Sequence, residues 1–382
     1  MILAGASCRA LARSFIQAGF EPICFDLFSD FDLANQACTT QVHLAEWPWA
    51  ILPHLKTLVG IPFVYTGGLE NHAAFLRHVS QSHPFWGNHP DLYEPIRDPF
   101  ILKQMLETLG LAFPDILPAG SLIPETPTWL LKPLKGSGGL GIRSAKPLSI
   151  VPDSHYAQRQ IVGSDNSVSL MIGENGYEVL LWAKGLECRD LLGGSEFGYV
   201  GSHWTGGNPP LLLGQVPVLA LAEFLSRTVG LRGLVGIDFR VDSQGKWHVL
   251  EVNPRYTASM ELGETVPDQS YGKRHWACFQ GRGGGEPEWK GQATITGKCP
   301  MTKAILYAKD QFTLNPCLSW STVTRTFESM YNIELFDLPW PGTKVVKGAP
   351  ILTIMEKGTR WLDLETRLRP IIADLINTLE QP

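Results

Sequence analysis

Gly236-Ile237-Asp238-Phe239-Arg240-Val241-Asp242-Ser243-Gln244-Gly245-Lys246-Trp247-His248-Val249-Leu250-Glu251-Val252-Asn253-Pro254-Arg255 reads as two strands folded back on a polar turn. Asp242 to Gly245 supplies the turn residues, and the flanks Leu234 to Phe239 and His248 to Val252 are apolar enough for a central strand pair. If the turn centres between Ser243 and Gln244, Glu251 pairs with Gly236, Asp238 is its diagonal neighbour on the same face, and Asn253 follows two residues on. Diagonal neighbours stand roughly 7 to 8 Å apart, so two carboxylates and an amide can converge on one hard cation. A single acid on such a face reads as a solvated residue; three oxygen donors on an apolar ribbon are costly to leave uncoordinated. Magnesium is the expected ion.

About a hundred residues upstream stands Trp129-Leu130-Leu131-Lys132-Pro133-Leu134-Lys135-Gly136-Ser137-Gly138-Gly139-Leu140-Gly141-Ile142. Glycines let backbone N–H groups turn toward an anion, and a lysine adds a point charge for phosphate oxygens. The spelling contains Gly-x-Gly-x-x-Gly, but a dinucleotide fingerprint opens a helix, and Ile142-Arg143-Ser144 followed by Pro147 does not. A loop between two strands is expected. Taken alone, the stretch suits an ordinary Gly-rich hairpin as well as a phosphate cradle.

Between the two lies Tyr156-Ala157-Gln158-Arg159-Gln160-Ile161-Val162-Gly163-Ser164-Asp165-Asn166-Ser167-Val168-Ser169, a strand, a glycine turn and a second strand. Extended backbone here can present N–H and C=O groups to an adenine edge, and Asp165 can accept from ribose hydroxyls. On its own Asp165 reads as a turn residue.

The chain has 382 residues, a prior for two or three domains at roughly 100 to 200 residues each. Net charge is −5, with 44% apolar and 18% charged residues, so a folded, slightly acidic protein is expected. Without long Lys/Arg clusters, nucleic acid is not an expected partner. No apolar run approaches the roughly 18 residues of a membrane span, and Met1 to Phe20 lacks the order of a signal peptide. The expected compartment is the cytoplasm. Cys8, Cys24, Cys38, Cys188, Cys278, Cys299 and Cys317 show no zinc spacing and fit reduced thiols. The histidines form no compact ligand set, and no Gly-x-Ser-x-Gly elbow occurs, which argues against a serine hydrolase. Trp204, Trp276 and Trp289 fit core or interface positions better than an aromatic pocket.

Along the chain, Ile2-Leu3, a helix pattern from Ala10 to Ala18 and a strand from Pro22 to Phe25 are followed by a strand from Ile61 to Tyr65 and a helix from His72 to Val79. Repeated strand, loop and helix is the pattern of a parallel α/β sheet. A connection is expected from His83 to Pro95, then a helix capped by Asp98, with Pro99 at its first position and Gly110 closing it. Short strands, a helix near Val218 to Val229 and the ribbon give the middle an α+β character. From Gln269 the composition shifts; strands at Ala304 to Ala308 and Ile351 to Ile354 and a helix from Trp361 to Leu379 suggest a third, smaller unit. Gly5-x-Ser7 with Asp26 is a degenerate dinucleotide pattern, but the full glycine spacing is missing, so NAD is not expected.

Taken in order, the lysine and glycine loop, the strand with glycine and acid, and Asp followed by Glu-x-Asn resemble the ATP-grasp superfamily of carboxylate-amine ligases. The resemblance covers nearly the whole chain. Gly5-Ala6-Ser7 through Asp26-Leu27-Phe28-Ser29-Asp30, with Thr66-Gly67-Gly68-Leu69-Glu70-Asn71, is similar to the α/β domain of a carboligase branch associated with tetrahydromethanopterin and methylofuran biosynthesis. Pro341-Gly342-Thr343 and Lys347 to Thr353 are similar to that branch's tail.

The implied fold is mixed α/β and α+β: a Rossmann-like pre-ATP-grasp domain over 1–95, an ATP-grasp domain over 96–268 and a C-terminal α+β region over 269–382 packing on the grasp core. By the same resemblance Lys132 contacts the ATP phosphates and acts in catalysis, and Gly136, Ser137, Gly138 and Gly139 cover the phosphates. Gln158 stands where the family often has Glu at the adenine hinge, Gln160, Ile161 and Val162 lend backbone contacts, and Asp165 holds ribose. Asp238, Glu251 and Asn253 bind Mg2+, with Mn2+ as a substitute, and Arg255 contacts the reacting carboxylate or acyl phosphate. The family's Asp-Lys before the grasp is Asp98-Pro99 here, which leaves Arg97 or Lys103 to stand in for the lysine.

The implied reaction activates a small-molecule carboxylate as an acyl phosphate and joins it to an amine, releasing ADP and phosphate. Its rivals are a carboxylase using bicarbonate, a kinase, and a nucleotide-binding regulatory protein without chemistry. A homo-oligomer is compatible with the sequence, which shows no heptad seam.

Overall fold

The computed structural model describes residues 1–174, 176–206, 215–265, 270–280 and 299–380. Trp289 and the composition change at Gln269 lie outside these residues.

Strands β1 (Ile2–Gly5), β2 (Ile23–Asp26), β3 (Cys38–Gln41) and β4 (Phe63–Tyr65) form a sheet in the order β3-β2-β1-β4, parallel throughout. Ile2, Leu3 and Ala4 are fully buried, as a parallel strand covered on both faces requires. The helix Arg9–Gln17 follows β1 and ends before Gly19, whose φ of 83° reverses the chain into β2. Two elements differ from the sequence expectation. β3 is a strand that the pattern did not announce, because Cys-Thr-Thr-Gln sits at the sheet edge without buried alternation. The segment expected as a connection contains the helix Pro90–Arg97, started by a proline at its first position and carrying Pro95 inside it. Asp98 then caps the next helix, Pro99–Thr108, accepting from the Phe100 and Ile101 N–H groups at 2.8 and 3.1 Å.

The second sheet is antiparallel and small: β5 (Ile116–Leu117), β6 (Trp129–Pro133), β7 (Arg143–Ser144) and β8 (His155–Arg159), in the order β5-β8-β6-β7. It rests on its own cluster of Ile123, Trp129, Leu131, Val151 and Ala157. The glycine loop joins β6 to β7 as a hairpin.

Three residues after β8 the chain enters the large sheet. Its strands are β9 (Gly163–Ile172), β10 (Tyr177–Gly185), β11 (Gly201–Trp204), β12 (Gly233–Asp242) and β13 (Trp247–Asn253). β14 (Met301–Tyr307), β16 (Ile333–Phe336) and β18 (Pro350–Lys357) continue it, while β15 (Phe312–Thr313) and β17 (Lys344–Val345) pair separately. The order is β13-β12-β9-β10-β11-β14-β18-β16. Apart from that two-stranded pair, the tail therefore continues the same sheet, since Gly201 to Trp204 pair with Ala304 to Met301. Its helices Trp320–Tyr331 and Leu364–Glu380 cover the far end over Leu306, Phe327, Ile354 and Leu375.

The β12–β13 register corrects the expectation. Glu251 lies opposite Asp238, not Gly236, and Gly236 lies opposite Asn253. The turn is longer than the one expected: Asp242 accepts from the Gln244 and Lys246 N–H groups at 2.9 and 3.0 Å, and Gly245 adopts φ 77°. A bulge at Leu250 adds the rest of the shift, because Phe239 pairs with Val249 while Asp238 pairs with Glu251. The total displacement is an even number of residues, so both carboxylates keep a common face. Among the described residues no helix is long and apolar enough to cross a membrane.

Candidate active site

A cavity of about 500 Å³ opens where the parallel sheet, the small sheet and the large sheet meet. Lys132, Ser137, Gly138 and Gly139 line it from the small sheet, and Asp165, Asp238, Glu251, Asn253 and Arg255 from the large one. Ser7, Thr66 and Gly67 line it from loops at the carboxyl ends of β1 and β4, where open parallel sheets hold ligands.

At its base Asp238 and Glu251 face each other. Burial first, and the neighbouring Glu251 second, push the Asp238 carboxyl up to about 7. Asn253 Nδ2 donates to Asp238 Oδ2 at 2.8 Å. Two carboxylates this close hold a proton against their usual preference unless a cation sits with them. Among the described residues no group of three His, Cys, Asp or Glu side chains converges on a metal position. Two carboxylates and an amide match magnesium, which takes few protein ligands and completes its shell with phosphates and water. The residues fit the ion.

Lys132 extends from β6, opposite Tyr156, and its ammonium makes no hydrogen bond or ion pair among the described residues. Burial lowers its pKa, and Glu251 and Asp165 act in the opposite direction. A shielded ammonium facing a cavity with no partner is able to hold an anion. Above it the loop is pinned at two points. Gly138 C=O accepts from the Tyr199 N–H at 3.0 Å, and Gly136 C=O accepts from Asn71 Nδ2 at 3.2 Å and Arg97 Nη2 at 3.3 Å. Gly136 itself does not line the cavity. Gly139 has φ 78°, and a Cβ there would stand 2.0 Å from the Phe197 carbonyl oxygen.

Arg255 is buried over Gly67, where a Cβ would lie 3.5 Å from its Cζ. Its Nη2 donates to Glu70 Oε1 at 2.5 Å and to Asn253 Oδ1 at 3.2 Å, its Nη1 to the Tyr256 carbonyl at 3.0 Å, and its Nε has no partner. Burial works to raise the Glu70 pKa, but Arg255 and Arg97 outweigh it and hold the carboxyl below its ordinary value. Arg97 donates to Glu251 Oε1 at 2.6 Å and to Asn71 Oδ1 at 3.1 Å. Of the two stand-ins for the family's lysine, Arg97 reaches the carboxylates, whereas Lys103 lies 3.9 Å from Glu107 on the surface of its helix.

Other residues sit differently from the sequence expectation. Asp165 lines the cavity but is already paired, with Arg240 Nε at 2.7 Å and Arg189 Nη2 at 3.1 Å. Gln158 sits in β8 between Leu130 and Ile116, and Gln160, Ile161 and Val162 form the connection to the large sheet; none of the four lines the cavity. Ile161 C=O accepts from Arg240 Nη1 at 2.8 Å, and Gln158 Nε2 is buried without an acceptor. Trp204 is buried and Trp276 packs on Phe20 at 5.7 Å; neither lines the cavity.

Sequence reasoning missed Glu70 and a buried network on the opposite wall. Arg9 donates to Asp337 at 2.8 and 3.1 Å and to both oxygens of Glu261, and Lys303 Nζ donates to Glu261 Oε2 at 2.7 Å. No local motif marks these residues, which come from distant parts of the chain.

Two sheets closing on a cavity, with a lysine and a glycine hairpin on one side and paired acids on the other, define an ATP-grasp fold. Residues 96–259 match the family model of the ATP-grasp domain. Among solved structures, the L-amino acid ligase from Bacillus licheniformis is similar over 98% of this chain and 96% of its own, at 12% identity and TM-score 0.70. An N5-carboxyaminoimidazole ribonucleotide synthetase in complex with ADP is similar over 98% and 96%, at 14% identity and TM-score 0.69. The biotin carboxylase domain of Hydrogenobacter thermophilus 2-oxoglutarate carboxylase, in complex with MgADP, ADP and bicarbonate, is similar over 97% and 88%, at 13% identity and TM-score 0.68. At these identities the likeness is one of fold. No curated protein sequence compared with the chain matches it.

Proposed function

We propose that the protein is an ATP-dependent ligase that converts a small-molecule carboxylate into an acyl phosphate and joins it to an amine, releasing ADP and phosphate. One observation carries the reading: the Asp238–Glu251 pair and the unpartnered Lys132 line the same cavity under the glycine hairpin. An acid pair held at this electrostatic cost beside an unpartnered lysine favours chemistry over nucleotide binding alone.

Asp238, Glu251 and Asn253 would hold Mg2+, or Mn2+ in its place, which neutralises charge on the transferred phosphoryl group. Lys132 supplies a further positive charge to the phosphates. Ser137, Gly138 and Gly139 lay backbone over them and exclude water from the acyl phosphate. Arg97 takes the part of the family's missing lysine. Arg255, with its free Nε, orients the substrate carboxylate. Gln158 and residues 160–162 receive the adenine, where the unpartnered Gln158 amide supplies a donor, and Asp165 approaches the ribose. The amine, having given up its ammonium proton to solvent, then attacks the acyl carbon; the C–N bond forms, the C–O bond to phosphate breaks, and the second nitrogen proton leaves with the departing phosphate.

The neighbours include an amino acid ligase and enzymes named for carboxylation, so bicarbonate as the activated acid is the second reading. The narrowest form of the first reading, a glutamyl-type acid or amine in one-carbon cofactor assembly, rests on the similarity of Gly5-Ala6-Ser7 and Thr66 to Asn71 to that branch. We place the reaction in the cytoplasm, with ATP.

An ADP-release screen over a matrix of carboxylates, bicarbonate and amines, with Glu251→Ala as blank, tests the proposal. ADP and phosphate formed only when both an acid and an amine are present support it. AMP and pyrophosphate as products would refute the acyl-phosphate step.

A further inference from the structure

Asp30 is 8% exposed, lines the cavity, and makes no side-chain hydrogen bond or ion pair among the described residues. It precedes the short helix Phe31–Ala34 at the position where an aspartate ordinarily caps the backbone, yet its carboxylate makes no capping bond. The side chain forgoes the local partner that its sequence position offers.

The neighbouring charges are already matched to one another. Arg9 and Lys303 are taken by Asp337 and Glu261. Asp337 also accepts from Thr353 Oγ1 at 2.5 Å. Asp26 accepts from the backbone N–H groups of Cys8, Phe28 and Ser29 at 2.5, 2.7 and 2.7 Å. Asp32 accepts from the N–H groups of Asp337 and Leu338 at 3.1 and 2.8 Å. Asp30 alone is left without a donor. Burial, followed by Asp337, Asp26 and Asp32, pushes its carboxyl up to about 9, with Arg9 opposing. An unpaired buried carboxylate destabilises the fold that carries it, so it is explained by what enters the cavity.

We propose that Asp30 binds the ammonium group of the amine co-substrate, a proposal that rests on the ligase reading and names the wall of the cavity where that substrate sits. A hard metal ion is a poorer occupant, because it wants several oxygen ligands and the other acids here already accept from protein donors. A hydroxyl group would give Asp30 a hydrogen bond but no positive charge to draw its carboxyl into the ionised form. An ammonium group supplies both the donor and the opposite charge. The loop bearing Asp30 follows the carboxyl end of β2, on the parallel-sheet side of a cavity whose phosphate groups would lie on the grasp side. The two substrates thereby approach from opposite walls.

Calorimetric titration of the full chain without nucleotide tests this, using 2-phenylethylamine and 1,4-diaminobutane against 2-phenylethanol and 1,4-butanediol. At least one amine binds, its alcohol counterpart binds more weakly, and Asp30→Asn weakens amine binding by roughly 10- to 100-fold, the effect of a hydrogen bond to a charged group. Asp30→Asn also melts close to the wild-type temperature near neutral pH, because the carboxyl it replaces is raised to about 9, is uncharged in the empty cavity and makes no hydrogen bond. Amine and alcohol binding equally, Asp30→Asn binding the amine as wild type does, no amine binding at all, or a lowered melting temperature would each overturn the proposal. Asp30-dependent amine binding in a protein that releases no ADP with any substrate pair would sink the ligase reading and leave the ammonium site standing.

Discussion

Arg97 Nη1 lies 2.6 Å from Glu251 Oε1, so one carboxylate of the acid pair already carries a cation from the helix before the grasp. The same guanidinium reaches the Gly136 carbonyl at 3.3 Å, linking the acids to the glycine hairpin. Nucleotide and magnesium must share this arginine, and Arg97→Gln should separate the two. Without nucleotide the variant should gain more thermal stability from Mg2+ than wild type does, because the carboxylates lose their built-in counter-charge. Its KM for ATP should rise roughly 10-fold, through loss of a charge-assisted contact. An unchanged Mg2+ response would mean that Arg97 does not shield the acid pair.

Asp238→Asn and Glu251→Gln should lower kcat by more than about 100-fold, since transition-state charge on the phosphoryl group loses its metal clamp. Lys132→Ala should act mainly on the KM for ATP. Wild-type rates in both carboxylate variants would remove the metal assignment.

Two adjacent glycines make opposite steric predictions. Gly139→Ala drives a Cβ into the Phe197 carbonyl oxygen at 2.0 Å, with backbone on both sides of the clash, and should displace the hairpin and abolish nucleotide binding. Gly138 also has a positive φ, 62°, but open space around it, so Gly138→Ala should cost about 1 kcal/mol and leave binding measurable. Equal losses from the two would show that the hairpin's seat on Phe197 does not matter.

Backbone exchange should slow across Ser137 to Leu140 when ATP and Mg2+ are added, because the hairpin is the cover of the phosphate site. Hydrogen exchange read by mass spectrometry measures this directly. Protection that is the same with and without nucleotide would contradict a closing cover.

Glu264 accepts from Ser14 Oγ, from Tyr256 Oη at 2.8 Å and from the Tyr271 N–H at 2.9 Å, and burial pushes its carboxyl up to about 7. Between its ordinary value of 4.5 and about 7 the native protein holds a proton that the unfolded chain has lost. The contribution of this group to stability therefore falls as pH rises through that window and levels off above it. Glu264→Gln should cost more stability near the lower end of the window than above its upper end, as denaturation at each pH would show.

The ribbon of β12 and β13, the glycine hairpin and the parallel first sheet were legible because each is written in contiguous residues with its own periodicity or turn chemistry. The register of the acid pair was not, since a single bulged residue at Leu250 has no sequence signature when its neighbours are equally apolar. The helix Pro90–Arg97 was hidden by its prolines, one of which starts it and one of which it tolerates. Asp30 and Glu70 could be quoted as parts of motifs, but their chemistry depends on Asp337 and Arg255, about 300 and 185 residues away, which only the folded chain brings near. Asp165, legible as an acid beyond a turn, was expected to face ribose alone; two arginines from other elements reach it as well.

The large sheet passes from β11 directly to β14, and β18, second from the edge of the sheet, brings Thr353 to the cavity wall. The wall opposite the phosphates thus joins Ser7 and Asp30 to Asp337 and Thr353, about 300 residues later in the chain, whereas the phosphate side is built between Lys132 and Arg255. A chain interrupted between β13 and β14 would own half a pocket, with its acids and lysine in place and nothing to close the far side.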